Sequence, residues 1–213
     1  MNDPFIDQLV NDLQPKRPLR DTDLWALGII GFIFAAIAIA GTIGLRPDFF
    51  QAAKTGALFW KPGIFFIAWL ASSLLIMSLS RPHGKIKKWH LSLFILALFT
   101  LLYQLLIQSQ FVGSKEVGQV LRDKSAIYCL SIITGGGGLL LFAAWKLWIT
   151  NAASMQPKLL GLLAGLNAGS IMAAIYAMHC DIDVALYVLV YYGLSIAMLS
   201  AVGAYFGQKL LRW

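Results

Sequence analysis

Apolar residues in this chain come in blocks of about twenty, the length a helix rising 1.5 Å per residue needs to cross a hydrocarbon core of ~30 Å. Six such blocks run at about Trp25–Leu45, Pro62–Leu79, Trp89–Ile107, Ile127–Trp148, Leu159–Met178 and Val184–Phe206. Trp25, Trp60, Trp89, Trp145, Trp148 and Trp213 lie near block ends, as an interfacial aromatic belt predicts. The fold class read from this pattern is an all-α membrane protein. A six-transmembrane-helix bundle fills residues 24–213, and a cytoplasmic tail with a short amphipathic helix fills residues 1–23.

The tail has a different period. Asp3 can cap a helix whose first turn contains Pro4. Phe5, Ile6, Leu9, Val10 and Leu13 then share an arc of about 140° at 100° per residue, with Asp7, Gln8, Asn11 and Asp12 opposite. Pro15 ends the helix, and Lys16, Arg17, Pro18 and Arg20 form a stiff basic linker to the membrane. A helix of about ten residues is marginal alone in water, so its apolar face calls for a partner. That partner can be the protein's own loops, the lipid surface or another protein. Interfacial anchors carry Lys and Arg on the polar face. Asp7 and Asp12 would be repelled by anionic lipid, which favours a groove on a protein.

Composition agrees with the blocks. Mean hydropathy is +0.72 and 13% of residues are charged, against roughly 25% in a soluble domain. The net charge of +7 does not imply direct nucleic-acid contact, because the basic residues sit between apolar blocks. Lys and Arg number 11 on the side holding the tail, the second and fourth connections and the C-terminus, against 6 on the other. The excess puts both termini in the cytoplasm. The first block is too long for a signal-peptide core, although Ala36-Ile37-Ala38 imitates a cleavage site.

Gly161, Gly165, Gly169 and Ala173 recur every four residues in the fifth block, a stripe that lets another helix approach closely. Gly193, Ala197 and Ala201 suggest the matching face of the sixth. Gly135 to Gly138 lie inside the fourth block, with no preceding strand and no following Lys-Ser/Thr, so they form no phosphate loop. They allow close packing or local bending. The block interiors hold no Asp, Glu, Lys or Arg, apart from Lys146 at a cytoplasmic end where it can snorkel. Ion-coupled transport normally places such groups within the membrane. Gln104 and Asn167 are the few polar candidates for a route through the bundle.

Cys129 near the start of the fourth block and Cys180 just after the fifth fall at the same outer face, with His179, Asp181 and Asp183 around the second. Three uses stay open for them: two buried small residues, a disulfide or redox pair in an oxidising compartment, or a soft-metal site made by Cys129, Cys180 and His179. No Cys-x-x-Cys motif supports a thiol oxidoreductase.

The C-terminal part holds His179-Cys180-Asp181, then Tyr191-Tyr192-Gly193, and closes on Gly203-Ala204-Tyr205-Phe206-Gly207-Gln208-Lys209-Leu210-Leu211-Arg212-Trp213. Together with Cys129 and the tail pattern Phe5-Ile6, Leu9, Leu13, Pro15 and Pro18-Leu19, it resembles the NrsF-like integral-membrane anti-sigma factors from end to end. Ile182-Asp183-Val184 departs from the more polar, Ser/Pro-containing run expected there. The resemblance implies a bacterial inner-membrane regulator, not an enzyme. It would hold an extracytoplasmic-function sigma factor through the tail until an envelope stress arrives, with Cys129 and Cys180 taking part in sensing and His179 and Asp181 beside them. No cofactor is implied. The competing classes are a small-molecule membrane transporter and a membrane thiol-redox protein.

Overall fold

The computed structural model describes residues 20–82, 84, 86–111, 118 and 124–211, with no strand among them. The tail residues Phe5, Ile6, Asp7, Leu9, Val10, Asp12, Leu13 and Pro15 lie outside the described residues. Helix α1 spans Asp21–Thr42, α2 Phe49–Thr55, α3 Ala57–Leu79, α4 Lys88–Phe111 and α5 Ser125–Leu147. A 3-10 turn at Ile149–Asn151 leads to α6, Pro157–Tyr176. Helix α7, Ala185–Leu210, carries one π-helical stretch at Val188–Tyr192.

Local chemistry sets several of these boundaries. Asp21 and Asp23 sit in the first turn of α1, where unpaired N–H groups favour carboxylates. Pro157 opens α6, where a missing N–H costs nothing. Gly56, at φ 79°, turns the chain from α2 into α3 in a left-handed conformation that a side chain would disfavour.

Six of the helices (α1, α3, α4, α5, α6 and α7) are long and apolar enough to cross a membrane. Large side chains such as Phe34, Phe99 and Leu139 point outward from them, leaving an apolar exterior.

Helix α6 is the hub, buried along most of its length and packed on α7, α3 and α5. Its glycines meet backbone rather than side chains. A Cβ added at Gly161 would run into the Gly203 carbonyl, and one at Gly165 into the Leu199 carbonyl. One at Gly169 would stand 3.2 Å from the Ile196 Cα. Ala173 is fully buried. The face of α7 that receives them is Ile196, Leu199, Gly203 and Gly207. The sequence expectation of Gly193, Ala197 and Ala201 needs correcting, since Ala197 and Ala201 are exposed and Gly193 has open space beside it. Both sets keep the three- or four-residue spacing of one helix face, so spacing alone could not choose between them. In the glycine run of α5, Gly136 makes room for Met172 and Gly137 for Leu199. The helix passes through the run without a break. Asn167 ties α6 to α3, its Nδ2 reaching the Trp69 carbonyl at 3.0 Å and the Ser72 and Ser73 hydroxyls at 2.9 and 2.7 Å.

One further expectation needs correcting, and one element was not expected. The second apolar helix starts five residues before Pro62 and takes in Lys61, so one helix interior does contain a cation. Pro62 falls early enough in α3 that the backbone bond it forfeits is confined to the first turns. Between α1 and α3, the chain forms the short helix α2, which no hydrophobic period marked.

The bundle has two buried clusters, one at each end. Leu24, Trp148 and Leu211 share one of them, so residues near both chain termini gather at the end that also holds Arg81. Cys129, Cys180, Tyr176, Tyr187 and Tyr192 share the other.

Candidate functional site

The Cys180 end is built from five separate pieces of chain. Cys129 comes from the second turn of α5 and is fully buried. Cys180 follows α6, where its N–H donates to the Tyr176 carbonyl at 3.0 Å, and it too is buried. Both thiols are free and belong to one cluster. Tyr187 and Tyr192 are buried in the same cluster as the two thiols. Both tyrosines come from the part of α7 around its π-helical stretch, an irregularity frequent at functional sites. The Tyr192 ring stacks on Phe65 at 5.1 Å and approaches Tyr176 at 6.0 Å.

Above this cluster sits a clamp of buried charge. Lys61 has no exposed surface, and its Nζ donates to the carbonyls of Cys180 at 2.9 Å and Ile182 at 2.7 Å. It also approaches Asp183 Oδ1 at 3.4 Å. A buried ammonium costs several kcal/mol unless oxygens surround it, and here the loop after Cys180 supplies them. Arg46 is 3% exposed and holds two carboxylates. Its Nε and Nη2 donate to Asp48 at 2.7 and 2.9 Å, and its Nη1 and Nη2 to Asp183 at 3.2 and 2.7 Å. The hydrogen bonds to Asp48 and Asp183 raise the Arg46 guanidinium above its usual range against the opposing effect of burial. The same bonds hold the Asp48 carboxyl below its ordinary value. From α4, Gln108 closes the clamp, its Nε2 donating to the Asp183 carbonyl at 2.9 Å while its Oε1 accepts from the Ala185 N–H at 2.6 Å.

His179 and Asp181 flank Cys180, and the His179 ring stands 5.7 Å from that of Tyr176. His179 Nδ1 meets the Gly44 carbonyl at 2.8 Å. A carbonyl only accepts, so Nδ1 carries the proton. Asp181 is exposed and contributes its backbone carbonyl, 3.4 Å from Arg46 Nη2. Among the described residues no three His, Cys, Asp or Glu side chains form a group able to hold a metal, so Cys129, Cys180 and His179 do not converge as three ligands.

Sequence reasoning read Arg46 and Lys61 only as loop charges and missed their role. A signal was present, because both belong to the six basic residues on the side where the charge rule wants few. Lys61 also directly precedes an apolar block.

The profile of the family described as "Negative regulator of sigma F" matches residues 9–213. The chain belongs to that family. The anti-sigma-F factor NrsF of Caulobacter vibrioides (strain NA1000 / CB15N) is 27% identical to it, over 99% of each chain. A probable anti-sigma-F factor NrsF of Azospira oryzae is 28% identical over 73% of each chain. Both relatives are named as regulatory proteins, not enzymes. No solved structure matches the chain. The family match takes in Leu9, Val10, Leu13 and Pro15 of the tail, Cys129, Cys180 and the whole charge clamp, while Phe5, Ile6 and Asp7 precede it.

Proposed function

We propose that this protein is a membrane-embedded anti-sigma factor, with sensing at the Cys180 end and capture at the other. The observation that carries the reading is the placement of the two parts within a chain of this family. The thiol pair is buried at one end of the bundle, and Arg20 to Leu24, where the tail is rooted, stand at the opposite end. Six apolar helices run between them. In this reading they cross a bacterial inner membrane with both termini in the cytoplasm. The tail, residues 1–23, captures an extracytoplasmic-function sigma factor. Phe5, Ile6, Leu9, Val10 and Leu13 enter an apolar groove, Asp7 and Asp12 face basic residues of the sigma factor, and Pro15 ends the helix. Each large side chain buried contributes roughly 1.5–3 kcal/mol gross, reduced by the cost of ordering the segment.

At the outer end, a thiol-reactive metal or oxidant modifies Cys129 and Cys180. The Cys180 backbone carbonyl is held by Lys61, so a change at the thiol reaches the clamp directly. Helix α6 connects Cys180 to the glycine interface with α7 and carries the change toward the tail. Release follows only if the new helix arrangement binds the sigma factor less well. A tenfold loss needs ~1.4 kcal/mol of bias.

The test is binding of the sigma factor to the full chain in membranes. Leu9→Asp places a carboxylate in the groove and should abolish capture while the protein stays inserted. Wild-type affinity of the Leu9→Asp chain would reject the groove.

A further inference from the structure

A cavity of about 350 Å³ lies between α1 and helices α3, α5 and α6, within the size range of small-molecule sites, roughly 300–1,000 Å³. Its mouth faces sideways, out of the bundle. Ile30, Phe34 and Leu139 line it and are also among the more exposed apolar residues of α1 and α5. No ionisable side chain lines it, so a charged headgroup would be poorly held there.

Three residues of the wall carry polar groups, Trp69, Ser73 and Asn167. Asn167 lines the cavity, and its Nδ2 is committed to the Trp69 carbonyl and the Ser72 and Ser73 hydroxyls. The Trp69 carbonyl only accepts, so the amide nitrogen must face it, and this fixes which side Oδ1 takes. Asn167 Oδ1 accepts no hydrogen bond among the described residues, and the residue is only part-buried. Asn167 lines the cavity, so Oδ1 is an acceptor available to a molecule seated in this largely apolar space. A bare hydrocarbon would leave it unsatisfied.

We infer that this cavity binds an uncharged, membrane-soluble molecule with a hydrocarbon body and a hydroxyl that donates to Asn167 Oδ1. The inference rests on the membrane-spanning reading above. It gives α1, the helix that carries the tail, a second ligand-dependent seat against the bundle, independent of the thiols.

The test uses the full chain in nanodiscs with two photoreactive probes: a long-chain alcohol bearing a mid-chain diazirine, and its methyl ether, which lacks the donor. Recovery of the chain in the membrane fraction is checked first; a chain in the soluble fraction would overturn both this site and the membrane reading. With the chain inserted, the alcohol should label α1 and α5 peptides about tenfold more than the ether. Asn167→Leu should bring the two probes to equal labelling. Ala143→Phe, which fills the cavity from α5 and leaves the Asn167 bonds to α3 intact, should abolish labelling by both and decides the matter if Asn167→Leu does not fold. Equal labelling of the wild type by alcohol and ether, or undiminished labelling of Ala143→Phe, would overturn the site while leaving the anti-sigma reading standing.

Discussion

The two ends of the bundle are tied together by different means. At the Cys180 end, Arg46 and Lys61 are buried and bind the α1–α2 loop, α3 and the α6–α7 loop into one network, which Gln108 extends to α4. At the Arg81 end, the charged tie among the described residues is a single pair, Arg81 with Asp21 at 2.8 Å, with both side chains about half exposed. Hydrogen bonds to backbone carbonyls supplement it, Ala153 N–H to the Ser80 carbonyl at 3.1 Å and the Trp148 indole N–H to the Arg20 carbonyl at 3.2 Å. Among the described residues, buried charge therefore cross-links the thiol end, and exposed charge the other.

The largest effect should come from the clamp. Lys61→Met removes the donor from two loop carbonyls, and each orphaned buried acceptor costs ~1–3 kcal/mol. The thermal midpoint in detergent should fall clearly, and sigma release should become constitutive. An unchanged midpoint would mean the clamp does not hold that end together. Gly165→Ala comes next. Its Cβ would meet the Leu199 backbone, and overpacking of this kind costs ~1–3 kcal/mol. Separation of α6 from α7 should show as faster proteolysis and a weaker response to thiol reagents.

Those two positions were unequally visible in the sequence. The four-residue stripe of Gly161, Gly165 and Gly169 is visible because helix period and residue size together define a narrow face. The register of its partner was not, because α7 carries small residues on more than one face and only packing selects Gly203 and Gly207 over Ala197 and Ala201. The blocks marked the six long helices closely, whereas α2 has seven residues, too few to show a period. Cys129 and Cys180 could be assigned to one end from topology alone. The partners of Arg46 and Lys61 could not, because Asp183 lies 137 residues from Arg46, and only the tertiary fold brings them together.

At the other end the effects should be small. Asp21→Asn removes an exposed pair worth at most ~1 kcal/mol. The midpoint should barely move, and any change should shrink further with added salt. A large loss would show that the Arg81 end is as firmly held as the thiol end. Acid offers the mildest probe. Asp48 is held below its ordinary value of 3.8, so its share of stability is present above that pH and is lost as pH falls through the lowered value. The stability that Asp48 contributes should therefore be level between about pH 5 and 8. A step in that window would belong to another group.

The comparison between the ends stands or falls on whether the thiols drive release. Membranes carrying the full chain with bound sigma factor are treated with a thiol-reactive metal or oxidant, and free sigma factor is measured for wild type, Cys129→Ser, Cys180→Ser and the double variant. Wild type should release the sigma factor. Each single variant should retain it as fully as the double, because a switch made of two residues fails when either is missing. Release from the double variant at the wild-type level would contradict the account and leave Cys129 and Cys180 as packing residues in a buried cluster.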